Sequence, residues 1–152
     1  MLRLGKMTDY ATVILTFMAK NQTQLYAALE ISTATGIALP SVSKILKVLL
    51  KAKVLSSIRG AKGGYALVQA PEKITVASVI TALEGPIALT ECSTLENSCQ
   101  QVAGCQIGNN WRVVNQTVQR ALESVTLADM LQPVKPPQEI TVPVASLYHL
   151  NS

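Results

Sequence analysis

Gly36-Ile37-Ala38-Leu39-Pro40-Ser41-Val42-Ser43-Lys44-Ile45-Leu46-Lys47-Val48-Leu49-Leu50-Lys51 is the stretch on which the fold turns. Gly36 tolerates the left-handed backbone that ends a helix, and Pro40 suits the first turn of the next one, where its missing N–H has no partner to lose. Beyond Pro40, Val42, Ile45, Leu46 and Leu49 recur at helical spacing on one face, while Lys44, Lys47 and Lys51 fall on another. The stretch therefore predicts a turn followed by a helix with an apolar back and a basic front.

Upstream, Tyr10, Ala11, Val13, Ile14, Leu15, Phe17, Met18 and Ala19 follow Asp9 and predict a largely buried first helix ending near Lys20. A second helix is expected from about Ala27 to Thr35. Downstream, Val54–Arg59 and Tyr65–Val68 read as two short strands joined by Gly60-Ala61-Lys62-Gly63-Gly64. The glycines permit a tight hairpin, and Arg59 and Lys62 place charge at its tip. Helix, helix, turn, basic helix and basic hairpin is the order of a winged helix-turn-helix. The expected fold class is mainly α with a small β-hairpin wing, extended by a long dimerisation helix.

Charge supports that order. Residues 1–70 carry nine Lys/Arg against Asp9 and Glu30, a balance of +7, whereas the remainder has four basic and seven acidic residues, a balance of −3. Lysines on a helix face usually mean only a solvated surface, and a glycine-rich hairpin is usually only a hairpin. Their joint order in a basic half points to a polyanion, here double-stranded DNA. Pro40, Ser41, Ser43, Lys44 and Lys47 lie toward the front of the basic helix. Lys44 is the candidate for a base edge, and the others suit phosphates or water-mediated contacts. Arg59 and Lys62 would hold the backbone or minor groove. The segment Gly60–Gly64 lacks the spacing of a phosphate-binding P-loop.

In the second half, Val76, Val79, Ile80 and Leu83 predict a short packing helix closed by Gly85-Pro86. The three cysteines, Cys92, Cys99 and Cys105, follow within one polar stretch, separated by six and then five residues. That spacing suits a loop around an iron-sulfur cluster better than the paired knuckles of structural zinc, and three thiols in a reducing compartment argue against a disulfide scaffold. Two alternatives stay open: a reversible disulfide between two of the cysteines, and a zinc site that the three cysteines help to build. Asn109 or Asn110 is expected to cap a longer helix in which Trp111, Val114, Val118, Leu122 and Val125 form an apolar stripe suited to pairing with a second copy. A homodimer with two-fold symmetry would bind an inverted-repeat operator. Thr126 and Asp129 form a capping-box pattern before a last short helix.

These readings divide the chain into a DNA-binding unit (1–80), a cysteine loop with dimerisation helix (81–131) and a flexible tail (132–152) that contains the only histidine, His149. No apolar run reaches the length of a membrane span, and the first residues lack a secretory signal, so a cytoplasmic protein is expected. No nucleophile with a paired base and no paired carboxylates stand in a readable motif. An enzyme with a small-molecule substrate is not expected.

The run Leu4-Gly5-Lys6-Met7-Thr8-Asp9-Tyr10-Ala11-Thr12-Val13-Ile14-Leu15, the turn from Gly36 to Lys44, the hairpin from Arg59 to Tyr65 and the three-cysteine loop together resemble the Rrf-two family of bacterial regulators, which includes IscR, NsrR and RirA. The resemblance spans about residues 1–130, and its opening is most similar to the branch that regulates the SUF iron-sulfur assembly operon. It implies a homodimeric winged-helix transcription factor, a repressor of iron-sulfur assembly or stress genes, whose DNA affinity depends on an iron-sulfur cluster, 2Fe-2S or 4Fe-4S, held by Cys92, Cys99 and Cys105. Members similar to IscR add a histidine three residues after the last cysteine, where this chain has Gly108. Members similar to NsrR use the aspartate of a Thr-Asp-Tyr segment from the other subunit, which Thr8-Asp9-Tyr10 matches. Asp9 thus has two readings, cluster ligand or an acidic residue favoured at a helix start.

Overall fold

A computed structural model describes residues 3–93 and 105–133. Cys99 and the tail that contains His149 lie outside the described residues. The order of elements is α1 (Lys6–Ala19), α2 (Ala28–Thr35), α3 (Leu39–Lys51), β1 (Leu55–Ile58), β2 (Gly64–Leu67), a 3-10 turn (Pro71–Lys73), α4 (Val76–Glu84), a second 3-10 turn (Glu91–Ser93), α5 (Gly108–Glu123) and α6 (Leu127–Leu131). The protein is a mainly helical winged helix-turn-helix with a two-stranded wing.

The core forms where the apolar faces of the first three helices converge. Ile14, Leu15 and Met18 of α1, Ile31 of α2 and Val42, Ile45, Leu46 and Leu49 of α3 are almost fully enclosed, joined by Leu55 of β1, Val79 of α4 and Leu127 of α6. Burying each of the larger side chains contributes about 1.5–3 kcal/mol relative to leaving it exposed, so the four buried positions of α3 hold that helix in one rotational setting. Gly36 ends α2 at φ 72°, and its N–H donates to the Ser32 carbonyl at 2.9 Å. The chain then turns into α3 with Pro40 in its first turn.

The wing is an antiparallel pair with Leu55 opposite Leu67 and Ile58 opposite Gly64. Its tip requires glycine at position 63, because a Cβ there would overlap the Ile58 carbonyl oxygen. Tyr26, just before α2, pairs with the outer edge of β2: each of Tyr26 and Tyr65 donates its N–H to the other's carbonyl at 2.9 Å. The Tyr26 ring packs edge-on against Phe17, with centroids 5.1 Å apart. Burial, and secondarily the Glu30 charge, push the Tyr26 phenol above its usual range. The wing is therefore anchored to α1 and α2 and has a fixed position beside α3.

Three boundaries differ from the sequence expectation. Helix α1 begins at Lys6 rather than at Asp9, with Gly5 at the N-cap and no side-chain cap of its own. The acceptor comes instead from α4: Glu84 Oε1 takes the Gly5 N–H at 2.6 Å and the hydroxyl of the buried Thr8 at 2.5 Å. These hydrogen bonds, with Thr8 the larger influence, lower the Glu84 carboxyl below its ordinary value despite some desolvation. Helix α5 starts at Gly108 after Ile107, so Asn109 and Asn110 lie inside its first turn and do not cap it. Val125 lies beyond the end of α5, where its carbonyl accepts the Val76 N–H at 2.8 Å, and the Leu127 N–H then donates to the Ile74 carbonyl at 2.8 Å. This bridge returns the chain to the core, where the Thr126–Asp129 capping box starts α6 and seats Leu127.

Candidate nucleic-acid interface and thiol site

The surface of α3 divides as its spacing requires. With Val42, Ile45, Leu46 and Leu49 buried, Pro40, Lys44 and Lys47 are exposed on the opposite side and Ser41 and Ser43 are half-buried at its edge. An α-helix fits the major groove, so an exposed basic face on a rigidly seated helix can reach base edges and phosphates. Arg59 and Lys62 are exposed at the tip of the wing. Lys6 was not singled out from the sequence. It lies in the first turn of α1 with its ammonium 5.3 Å from the centre of the Tyr10 ring, and both residues line a cleft of about 390 Å³ with Ser41, Ala38 and Ile37. The start of α1 thus adds a cation beside the start of α3.

The thiols belong to a different surface. Cys92 lies in the second 3-10 turn, half-buried, with its sulfur 3.1 Å from the Thr90 hydroxyl. Cys105 is exposed just before α5, and a Cβ built on Gly108 would lie 3.8 Å from its sulfur. Both are free thiols. The turn that carries Cys92 packs on α5, so the first and last cysteines of the segment are both attached to that helix. Among the described residues, no group of three His, Cys, Asp or Glu side chains comes together as a metal site. Asp9 is exposed and lines a groove of about 740 Å³ with Leu122, Val125 and Met130. Leu122 is fourteen residues along α5 from Gly108, on the order of 20 Å at the helical rise, so Asp9 lies near the end of α5 opposite to Cys105 of its own chain. Asp9 also makes no cap, which leaves the favourable interaction of a carboxylate with the first turn of α1.

Trp111 is 39% and Val114 36% exposed, while Val118 and Leu122 are half-buried against the chain's own domain. The apolar stripe is therefore only partly covered within one chain. Among the described residues no helix is long and apolar enough to cross a membrane.

Comparison with known proteins places this arrangement. The pattern of the Rrf2 family, described as an iron-dependent transcriptional regulator, matches residues 4–133. The chain belongs to the Rrf2 family. Among relatives, the protein rrf2 of Nitratidesulfovibrio vulgaris is 30% identical over 132 residues, covering 86% of this chain and 88% of its own. The HTH-type transcriptional regulator IscR of Erwinia tasmaniensis is 32% identical over 102 residues, covering 67% of this chain and 61% of its own. Of solved structures, CymR (YrzC), the global cysteine regulator of B. subtilis, superposes with a TM-score of 0.67 at 28% identity, covering 86% of this chain and 97% of its own. T. potens IscR gives 0.64 at 25% identity, covering 89% and 94%.

As an Rrf2 protein the chain is a DNA-binding transcriptional regulator, a class that does not act by catalysis. Of the residues expected to meet DNA, Pro40, Lys44 and Lys47 of α3 and Arg59 and Lys62 of the wing are exposed, Ser41 and Ser43 are half-buried, and Lys6 lies beside the start of α3. Among the described residues expected to hold a metal, Cys92 is in a turn that packs on α5 and Cys105 directly precedes that helix, whereas Asp9 lines a groove with Leu122, Val125 and Met130. Glu84 and Asn115, which shape the two surroundings, carry no motif. Glu84 is seventy-nine residues from its partner Gly5, and Asn115 is a polar residue within an apolar stripe.

Proposed function

We propose that this Rrf2 protein is a homodimeric, iron-sulfur-dependent transcriptional regulator that represses iron-sulfur assembly or stress genes from an inverted-repeat operator. The observation that carries the cluster part is the attachment of both described thiols to one helix. Cys92 reaches α5 through the 3-10 turn that packs on it, and Cys105 runs directly into its first turn. Thiolates are soft donors suited to cluster iron, and the donor set fits: Cys92, Cys99 and Cys105 supply three ligands from one loop. The fourth is Asp9 of a second copy, since Asp9 of the same chain lies at the far end of α5. When bound, the cluster supplies iron that oxidant or nitric oxide can attack. A carboxylate oxygen is a harder donor than a thiolate, so Asp9 would hold its iron less firmly than the cysteines would hold theirs.

The chain's own residues then perform the regulation. Trp111, Val114, Val118 and Leu122 pair α5 with its twin, and Val125 extends that surface past the helix end. Asp9 belongs to the helix that packs against α3 and Cys105 to the start of α5. A cluster held by both across a dimer would tie the angle between the two α3 helices to the thiol loop, and its loss would shift the balance of conformers by the difference in their binding energies. Lys44 reads a base edge, Ser41, Ser43, Lys47 and Lys6 contact phosphates, Pro40 sets the entry of α3, and Arg59 and Lys62 hold the flanking backbone.

A second reading is favoured by the likeness to a cysteine regulator, CymR: a thiol-disulfide switch with no cluster. Visible absorbance with iron and sulfide counts on protein prepared without air separates them. The proposal expects a coloured protein with stoichiometric iron and sulfide that loses both when Cys92, Cys99 or Cys105 is changed to Ala, and loses stability toward air in Asp9→Ala. Colourless, iron-free protein with a reversible disulfide would establish the second reading, and stoichiometric zinc without sulfide would show a structural metal site.

A further inference from the structure

The residue that α5 buries is polar. Asn115 is 6% exposed, and no apolar residue of α5 is buried as deeply. Its side-chain Oδ1 accepts the Leu89 N–H at 2.9 Å, and its Nδ2 donates to the Ile87 carbonyl at 3.1 Å. These are the two bonds that a neighbouring strand would make to the same two residues. Among short side chains, only the asparagine amide offers one donor and one acceptor in this geometry. Aspartate would keep the acceptor and lose the donor, and alanine would lose both.

The segment held in this way leads directly to a thiol. Thr90 follows Leu89, and its hydroxyl lies 3.1 Å from Cys92 Sγ and 2.8 Å from the Ser93 hydroxyl, while the Ser93 N–H donates to the Thr90 carbonyl at 2.9 Å. From α5 to the Cys92 sulfur the connection therefore runs through the Asn115 amide, the backbone of residues 87–89, and a hydrogen-bonded 3-10 turn. Cys105 needs no such device, because it is covalently three residues from the start of α5. We infer that Asn115 is a positioning residue that fixes the Cys92 sulfur relative to α5, so that the two ends of the thiol loop and the helix move as one body. The mechanical part stands on the geometry alone. Its consequence for cluster binding rests on the function proposed above, where Asn115 would act as the outer partner that orients a ligand.

The test uses the full chain. In the unaltered protein, hydrogen exchange should show the Leu89 amide protected, and Asn115→Ala should remove that protection. In reduced, cluster-free protein, iodoacetamide labelling followed by mass spectrometry should show Cys92 reacting several-fold faster in Asn115→Ala while Cys105 keeps its rate. Asn115→Asp, which retains the bond to Leu89, should fall between the two. After reconstitution without air, Asn115→Ala should hold its cluster roughly ten- to a hundred-fold less tightly, the usual effect of removing an outer partner. A Leu89 amide that exchanges freely in the unaltered protein, or a Cys92-to-Cys105 labelling ratio unmoved by Asn115→Asp and Asn115→Ala, would overturn the inference. The exchange measurement on unaltered protein decides even if Asn115→Ala does not fold. If the labelling ratio moves but no variant or parent ever binds a cluster, the positioning role stands and the sensor proposal fails. If a cluster forms while the ratio stays unmoved, the sensor proposal stands and the positioning role fails.

Discussion

Replacing Lys62 with alanine tests the wing as a DNA contact without disturbing the fold. Lys62 is exposed at the hairpin tip, and the hairpin is held from elsewhere, by the four-residue register of β1 and β2 and by the two Tyr26–Tyr65 hydrogen bonds. Thermal stability should therefore be unchanged. Each phosphate contact removed reduces the slope of log K against log salt by about 0.9. A dimer has two wings, so Lys62→Ala should flatten the slope by about 1.8, and between about 50 and 200 mM salt the variant should lose roughly twelve-fold less affinity than the parent. Fluorescence anisotropy at several salt concentrations, on an operator and on a scrambled duplex of equal length, measures both terms. The loss at low salt should be similar on the two duplexes, because a phosphate contact carries no sequence information. An unchanged slope would show that Lys62 meets no phosphate, and a loss confined to the operator would make it a base reader instead.

Val114→Glu places a charge on the uncovered part of α5 and should yield a monomer by sedimentation together with loss of operator binding; a dimer that persists would mean that this face is not the interface. Gly63→Ala drives a Cβ into the Ile58 carbonyl, so the tip must rearrange at a cost of about 1–3 kcal/mol, with operator affinity lowered and the helical circular dichroism kept. Glu84→Gln should cost about 1 kcal/mol, a charged hydrogen bond discounted for its exposed setting, or a fall in Tm of a few degrees. The Glu84 carboxyl is depressed below its ordinary 4.5, so its contribution is present above that pH and lost as pH falls through the lower folded value; the parent's stability should drop in that acid range, and the glutamine variant's should drop less. Gly108→His puts a side chain beside the Cys105 sulfur with ordinary van der Waals clearance for its Cβ and should prolong the visible absorbance of cluster-loaded protein in air; an unchanged decay would mean that the added imidazole does not reach the iron.

Helix α3 and the wing were legible because their signals are local. Val42, Ile45, Leu46 and Leu49 are spaced by the helix itself, and once that face is buried the place of Lys44 and Lys47 follows. Gly36 and Gly63 mark backbone that other residues would strain or block. The start of α1 is not legible locally: an acidic residue near a helix start suggests a cap, whereas the real acceptor is the Glu84 carboxylate brought from α4. The same local logic makes Asn109 and Asn110 resemble caps, although the chain enters α5 through Ile107 with the helix already formed at Gly108.

The thiol site divides along the same line. Three cysteines in one polar stretch, a basic half and an apolar stripe are facts of composition and spacing, and they suffice to suggest the kinds of contact proposed for this chain. That the turn with Cys92 packs on α5, how far Asp9 lies from Cys105, and that Asn115 clasps Ile87 and Leu89 depend on where helices cross. Crossing is decided by packing among residues distant in the chain, because a hydrogen bond or a buried face is satisfied by whatever partner folding brings near, and no local pattern records that partner's identity.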